Sequence, residues 1–332
     1  MSLIYRFKWM RITFTFHIKD AESELNLKYV THASDQILKG RKLECFHNMQ
    51  GIMNLNRWRD RPGRATWLWR TEEVVASKSE IDRFTKFAEE NHITTVYVHI
   101  DPTLSQADFE QFHTSCDHAQ VDVKALMGDP GWVRDSQHES LQSRLEWIQD
   151  YQENCKLLQF KGLHLDIEPW RLEDWEDNRE TYIKQWQSLI RTLRQWTSDS
   201  ARSMTLTADL PFWLHTLNTA DGTQLDVAIC NLLDGATFMT YRNTPEALMA
   251  IAEPALETAQ KVYGRQLKQT NLAIETTRCD EGPHLSYYCM GRGKVKGDLE
   301  LIEKAVSQGN RISHWNGGIA IHDYHGWSSM DD

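Results

Sequence analysis

From residue 65 onward, short apolar runs alternate with longer amphipathic stretches. "ATWLWR" (65–70) precedes a helical pattern at 78–91, "TTVYVHI" (94–100) one at 104–118, and "VDVKALMG" (121–128) one at 136–157. "GLHLDIE" (162–168) precedes the helical stretch "DWEDNRETYIKQWQSLIRTLRQWT", and "SMTLTADL" (203–210) a short helix at 221–232. "ATFMTYR" (236–242) leads to a helix starting at Pro245, and "NLAIETT" (271–277) to a long loop and a helix at 295–308. "GGIAIHDY" (317–324) comes last. Strand-then-helix alternation implies parallel β-α-β units. Eight of them in about 250 residues is the size of a (β/α)8 barrel. An open, doubly wound sheet would want a Gly-rich phosphate turn after its first strand, and "WLWRTEEV" has none.

The expected fold class is therefore α/β, a (β/α)8 TIM barrel over residues 65–332, with an N-terminal extension over 1–64. In the extension Ile12, Phe14, Phe16 and Ile18 alternate with polar residues, a one-sided strand. Residues 34–53 read as a helix that would fill the place of an eighth barrel helix, since only five residues follow Trp327.

Composition narrows the classes. A net charge of −10 argues against nucleic acid, which wants a basic face. No apolar run approaches the roughly 18–20 residues of a membrane span. Six scattered cysteines form no CxxC pair, so neither a zinc ribbon nor a redox motif is expected. No cofactor and no metal are expected either. The first 20 residues carry Arg6, Lys8 and Arg11 through their apolar stretch and lack a small-residue cleavage site, so no signal peptide is read. The chain as written reads as cytoplasmic, with a trimmed export signal as the alternative. The 13 tryptophans are many for this length, and tryptophan is a flat platform for sugar rings. The oligomeric state is not legible.

In such a barrel the active site forms at the C-terminal strand ends. In order these carry Trp69 and Arg70; His99 and Asp101; Asp129 and Trp132; Asp166, Glu168 and Trp170; Asp209 and Trp213; Tyr241 and Arg242; Glu275; and His322, Asp323, His325 and Trp327. The opposite ends, such as Ala65, Thr94, Val121, Gly162 and Ala236, carry almost none of this chemistry. Candidate substrate contacts are therefore Trp69, His99, Trp132, Trp170, Asp209, Trp213, Arg242, His322, Asp323 and Trp327.

Strand residues alternate faces, so Asp166 and Glu168 point the same way. Burying two carboxylates costs several kcal/mol unless they are paired or functional. Each opposes the other's ionisation, so one pKa should rise and leave a protonated acid beside an ionised base. That is what general acid catalysis needs near neutral pH. The structural alternative is an ion pair, for example Glu168 with Arg242, or Glu275 with Arg242 or Arg278.

At these residues the sequence resembles a family. "KGLHLDIE" (161–168) resembles the D-G-x-D-x-D-x-E fourth-strand signature of family 18 glycoside hydrolases, the chitinase-like barrels. Gly162, Asp166 and Glu168 match, while Lys161 and His164 stand where the signature has its first two aspartates. "FMTYRN" (238–243) resembles the sixth-strand M-x-Y-D motif, with Arg242 in place of the acid, and "NGGIAIH" (316–322) the opening of the last strand. The resemblance implies that Glu168 is the general acid and that Asp166 orients the substrate's 2-acetamido group, whose carbonyl is the nucleophile. Tyr241 would support that group. The chain is also similar to clan A barrel glycosidases, which carry the acid on the fourth strand, often as N-E-P, and a glutamate nucleophile at the end of the seventh. Glu168-Pro169 and Glu275 satisfy those positions, with Ile167 in place of the asparagine. Both resemblances imply a carbohydrate substrate.

Two other classes compete. A metal-dependent hydrolase could draw on His99, Asp101, His164, His322, Asp323 and His325, but there is no first-strand H-x-H pair and no HExxH. A non-catalytic carbohydrate-binding barrel would keep the cleft without turnover. The loop 276–297 is long for a βα connection, and with Tyr287 and Tyr288 it is expected to line or cover the cleft.

Overall fold

In a computed structural model of the protein, the described residues are 3–9, 12–18, 63–134, 139–155, 158–199, 204–264, 270–308 and 317–332. The chain divides into two compact units, Met1–Trp58 and Arg59–Asp332. In the first, β1 (Leu3–Trp9) pairs antiparallel with β2 (Ile12–Ile18), from Leu3 opposite Ile18 to Trp9 opposite Ile12. The one-sided strand read at 12–18 is thus half of a two-stranded ribbon. The helix expected over 34–53 lies outside the described residues.

The second unit is the barrel. Its strands are β3 (Arg64–Leu68), β4 (Ile93–His99), β5 (Asp122–Met127), β6 (Gly162–Leu165), β7 (Thr205–Pro211), β8 (Gly235–Met239), β9 (Asn271–Glu275) and β10 (Gly318–His322). They follow one another in order, and β10 pairs parallel with β3 to close the ring. Between them run α1 (Thr71–Val75), α2 (Lys78–Glu90), α3 (Gln106–His118), α4 (Glu139–Asn154), α5 (Trp175–Thr197), α6 (Leu225–Cys230), α7 (Pro245–Tyr263) and α8 (Arg292–Gln308). The short α9 (Tyr324–Ser328) follows β10, where the sequence had suggested no helix.

Alternation along each strand sorts the residues into two layers. Outward go Leu163, Leu165, Leu206, Ala208, Phe238, Ile274, Ile319 and Ile321, all buried under the helices. The helices answer with stripes at helical spacing, as in α5, where Tyr182, Ile183, Trp186, Leu189, Ile190 and Leu193 are buried. Each such aliphatic or aromatic side chain contributes about 1.5–3 kcal/mol through burial. Inward go Ala65, Trp67, Tyr97, Leu126, Ala273 and Ala320, a small apolar plug.

The rest of the barrel interior is polar. At the N-terminal strand ends a cavity of about 380 Å3 is lined by Tyr97, Lys124, Lys161, Thr205 and Asn271, among others. Asn271 Nδ2 donates to the Tyr97 hydroxyl at 2.9 Å, and Lys124 is buried nearby with its pKa lowered to about 8 by that burial. The chemistry at the opposite mouth is richer.

One glycine fixes how β5 and β6 meet there. A Cβ on Gly128 would lie 1.9 Å from the backbone oxygen of Asp166. Backbone cannot swing aside as a flexible side chain can, so Gly128→Ala should destabilise the fold by about 1–3 kcal/mol, the usual cost of overpacking. Denaturant unfolding reads this; an unchanged midpoint would mean that the strands approach less closely than described.

Candidate active site

The β6 pairing stops at Leu165, but the alternation continues, with the Asp166 N–H donating to the Met127 carbonyl at 3.1 Å. Pro169 then opens a single helical turn, Pro169–Arg171, because its ring lacks the N–H that a strand would need. Glu168 is left at the turn's start with its side chain 17% exposed, and its Oε2 accepts from Arg171 Nη1 at 3.0 Å. Arg171 is 68% exposed, so this ion pair is weak and opens at little cost.

Deeper in the barrel stands Asp209 of β7, 2% exposed. Its Oδ2 accepts from Trp67 Nε1 at 2.9 Å, and its Oδ1 lies 3.0 Å from His164 Nε2. The other His164 nitrogen, Nδ1, is 2.8 Å from Thr207 Oγ1, and the ring stacks on Tyr97 at 3.6 Å between centroids. Burial pushes the Asp166 carboxyl well above the usual carboxylate range, and the charges of Asp209 and Glu168 push it further. Asp209 is also raised well above that range by burial, although the Trp67 N–H opposes the shift. One Asp166 oxygen, Oδ1, is buried without a hydrogen-bond partner.

Across the mouth, β9 and β10 bring Glu275 opposite His322. Glu275 Oε1 accepts from the Thr277 N–H at 2.6 Å and from its hydroxyl at 2.7 Å, while Oε2 lies 2.9 Å from His322 Nδ1. Burial alone would lower His322, but Glu275, Asp323 and Asp166 outweigh it and push its pKa up to about 9. The Trp69 indole works the other way, because its N–H approaches His322 Nε2 at 2.9 Å and an indole only donates. That contact requires the neutral ring. Tyr241 is raised well above its ordinary value by burial and by the surrounding carboxylates, Glu275 foremost, so it stays a neutral hydroxyl.

Asp166, Glu168, Asp209, Tyr241, Glu275 and His322 thus form one electrostatic cluster. Trp69 packs on it and lies against His99 at 5.6 Å between ring centroids. The remaining four predicted tryptophans pack against the outer core. Trp132 and Trp327 are 1% and 2% exposed and sit in the layer between barrel and helices. Trp132 turns back to donate to Ser140, and Trp327 packs edge-on against Phe87, so neither offers a face to a sugar. Trp170 and Trp213 meet edge to face at 5.4 Å and pack partly buried on that same outer layer. Asp323 spends its side chain capping α9 at the Gly326 N–H. The Arg242 guanidinium donates to the Tyr241 carbonyl and lies over Phe212, and Glu168 and Glu275 take Arg171 and His322 as their ionic partners. In the long loop, Tyr287 is fully buried and bonded to Asp298, while Tyr288 is 53% exposed. Among the described residues, no three His, Cys, Asp or Glu side chains are arranged to hold a metal ion. No helix among them is long and apolar enough to cross a membrane.

Sequence reasoning passed over Trp67, although it precedes Trp69 by two residues and so shares its inward face. His164 was open to three readings, in place of a signature acid, as a metal ligand, or as a hydrogen-bonded structural histidine, and its bonds to Thr207 and Asp209 fit the last.

Raised carboxyls make stability depend on pH. A folded-state pKa above the unfolded one means that the folded chain holds more protons between about pH 4 and the folded value. Stability contributed by Asp166 and Asp209 is therefore full near pH 4 and is lost as pH rises through their folded values. Asp166→Asn should flatten this decline and stabilise the protein by about 1 kcal/mol at pH 7, as relief of a strained functional site commonly does. Unfolding midpoints taken from about pH 4 to pH 8 test it; parallel curves for the two proteins would count against a raised Asp166 carboxyl coupled to Asp209.

No protein-family model matches the chain, and no curated protein is similar to it. Among solved structures it is similar to a family 18 chitinase from Pseudoalteromonas aurantia, at 12% identity over 79% of this chain and 94% of that one, TM-score 0.48. It is also similar to an endo-beta-N-acetylglucosaminidase from Cordyceps militaris, at 11% identity over 88% and 87%, TM-score 0.49. A third is the spore cortex-lytic enzyme SleL of Bacillus cereus, at 11% identity over 79% and 71%, TM-score 0.48.

Proposed function

We propose that the barrel mouth hydrolyses O-glycosidic bonds of an N-acetylated oligo- or polysaccharide, with Glu168 as the general acid. The observation that carries this reading is the pairing of two partly exposed carboxyl groups, two residues apart on one inward strand face, with different partners. The burial of Oδ1 and the Asp209 and Glu168 charges favour the proton on Asp166, whereas Glu168 is held only by an exposed arginine and takes from solvent the proton that it gives up. In this reading Glu168 gives its proton to the leaving oxygen as the bond to C1 breaks. The substrate's acetamide carbonyl closes on C1, with Asp166 accepting from the amide N–H and the neutral Tyr241 hydroxyl donating to the carbonyl. Water then opens the ring intermediate and returns a proton to Glu168.

The competing role for Glu275, as an enzyme nucleophile, fits its surroundings less well. One of its oxygens is bonded by Thr277, and the other lies 2.9 Å from His322 Nδ1 as an ion pair without hydrogen-bond alignment. A carboxylate so anchored is suited to orienting His322. The deciding experiment is a panel of chromogenic glycosides with and without the N-acetyl group, run against Glu168→Gln. Turnover confined to the N-acetylated members and lost in the variant is expected. Sugar binding with no turnover, unchanged in Glu168→Gln, would instead identify a non-catalytic carbohydrate-binding barrel.

A further inference from the structure

Asp166 and Asp209 both favour protonation, and the proposed reaction needs Asp166 free to take a hydrogen bond from substrate. Which of the two holds a proton at rest therefore matters, and their hydrogen bonds differ. Asp209 is met by an N–H on one oxygen, from Trp67, and by the His164 ring on the other. Asp166 leaves its buried Oδ1 without a partner.

We infer that His164 is a positioning residue: as a neutral ring with its proton on Nε2, it joins Trp67 in holding Asp209 as the anion of the pair, so that the proton resides on Asp166. Three features support this. First, the ring is 0% exposed, stacked flat on Tyr97 and enclosed between Thr207 and Asp209, which leaves no room for a water to share a charge. Burial, with the Lys124 charge below it, holds His164 far below the ordinary histidine range. Second, the Thr207 hydroxyl can donate to Nδ1, which then frees the ring's one proton for Nε2 and Asp209. Third, two N–H donors stabilise Asp209 as a carboxylate, whereas the buried Oδ1 of Asp166 has no donor to stabilise a charge there. The other groups facing Asp209 are Glu168, Tyr241 and His322 at the mouth and Tyr97 beneath. Of these only His322, when protonated, adds a positive charge, and it acts on both aspartates.

The inference rests on the glycosidase reading for its use in turnover. When substrate arrives, the Asp166 O–H bond breaks and an O–H bond forms on Asp209, so the negative charge moves to Asp166. His164 and Trp67 keep their protons throughout. Asp209 in its acid form still accepts both N–H groups.

The test has an arm that needs no substrate. In full-length protein with 15N-labelled histidine, His164 should be a neutral ring with its proton on Nε2 at and above the ordinary histidine range, because burial lowers its pKa. In Asp209→Asn one carboxyl oxygen becomes an NH2 group, which cannot accept. With the amide oxygen on Trp67, His164 should move its proton to Nδ1, toward Thr207. An imidazolium, an Nδ1–H ring in the unmutated protein, or an unchanged tautomer in Asp209→Asn would overturn the inference. The second arm is His164→Phe, which keeps the stack on Tyr97 but removes the donor. The acid limb of its pH–rate profile should move up by about one to two units, the size of one lost hydrogen bond to a charged group. A role in packing alone would lower the rate and leave the limb in place. If the tautomers behave as stated and no glycoside is turned over, the glycosidase reading falls and the His164 assignment stands.

Discussion

Replacing Glu168 by glutamine should lower turnover of a glycoside with a poor leaving group about 10²–10⁴-fold, the usual contribution of general acid catalysis. Glutamine keeps the shape and can still face Arg171, but it has no acidic proton to give. The loss should shrink on an activated aryl glycoside, whose leaving group departs without full protonation. That contrast separates a missing proton from a disturbed pocket, which would slow both substrates alike. Stability should change little, because the Glu168–Arg171 pair is exposed and such pairs contribute about 0–1 kcal/mol. Equal losses on the two leaving groups would remove Glu168 from the acid role.

The second large effect distinguishes the two nucleophiles. If the substrate's own acetamide attacks, Asp166→Asn should cost about 10²-fold or more, since misplacing a reacting group by about 1 Å has that effect. Glu275→Gln should be mild by comparison. It loosens His322, but the Thr277 N–H and hydroxyl still find the amide oxygen. Substrates without the N-acetyl group should be inert. If Glu275 is the nucleophile, Glu275→Gln should be inactive on every sugar, and a covalent glycosyl-enzyme should be trapped on Glu275 by slow substrates. The two outcomes cannot both occur, and kinetics on one matched substrate pair decide between them.

The barrel was legible because its signal is local. Outward strand faces such as Leu163 and Leu165 must be apolar wherever a helix covers them, so each strand announces itself in a few residues. The Asp166–Glu168 pair was legible for a similar reason, since two positions on one strand share a face whatever surrounds them. The tryptophans were not. Following a strand end says that Trp132 and Trp327 leave the barrel's top, but not whether the side chain turns into the mouth or back beneath a helix. Contacts with Ser140 and Phe87 decided that, and both lie in other elements. Trp67 and Asp209 are 142 positions apart, so their bond exists only once the ring of strands has closed.

The Trp67–Asp209–His164–Thr207 chain also constrains how this barrel can change. In the signature that the fourth strand resembles, an aspartate stands at position 164. Changing His164 alone to aspartate would set a third carboxyl beside two that already favour protonation, and would remove one of Asp209's donors. Changing Asp209 alone to an apolar residue would leave the Trp67 N–H and the His164 Nε2 without partners in a dry interior, where each unpaired group costs about 1–3 kcal/mol. Either single step descends into a valley of lower stability, and only the joint exchange climbs out. An engineer who wants an aspartate at position 164 must exchange both residues together.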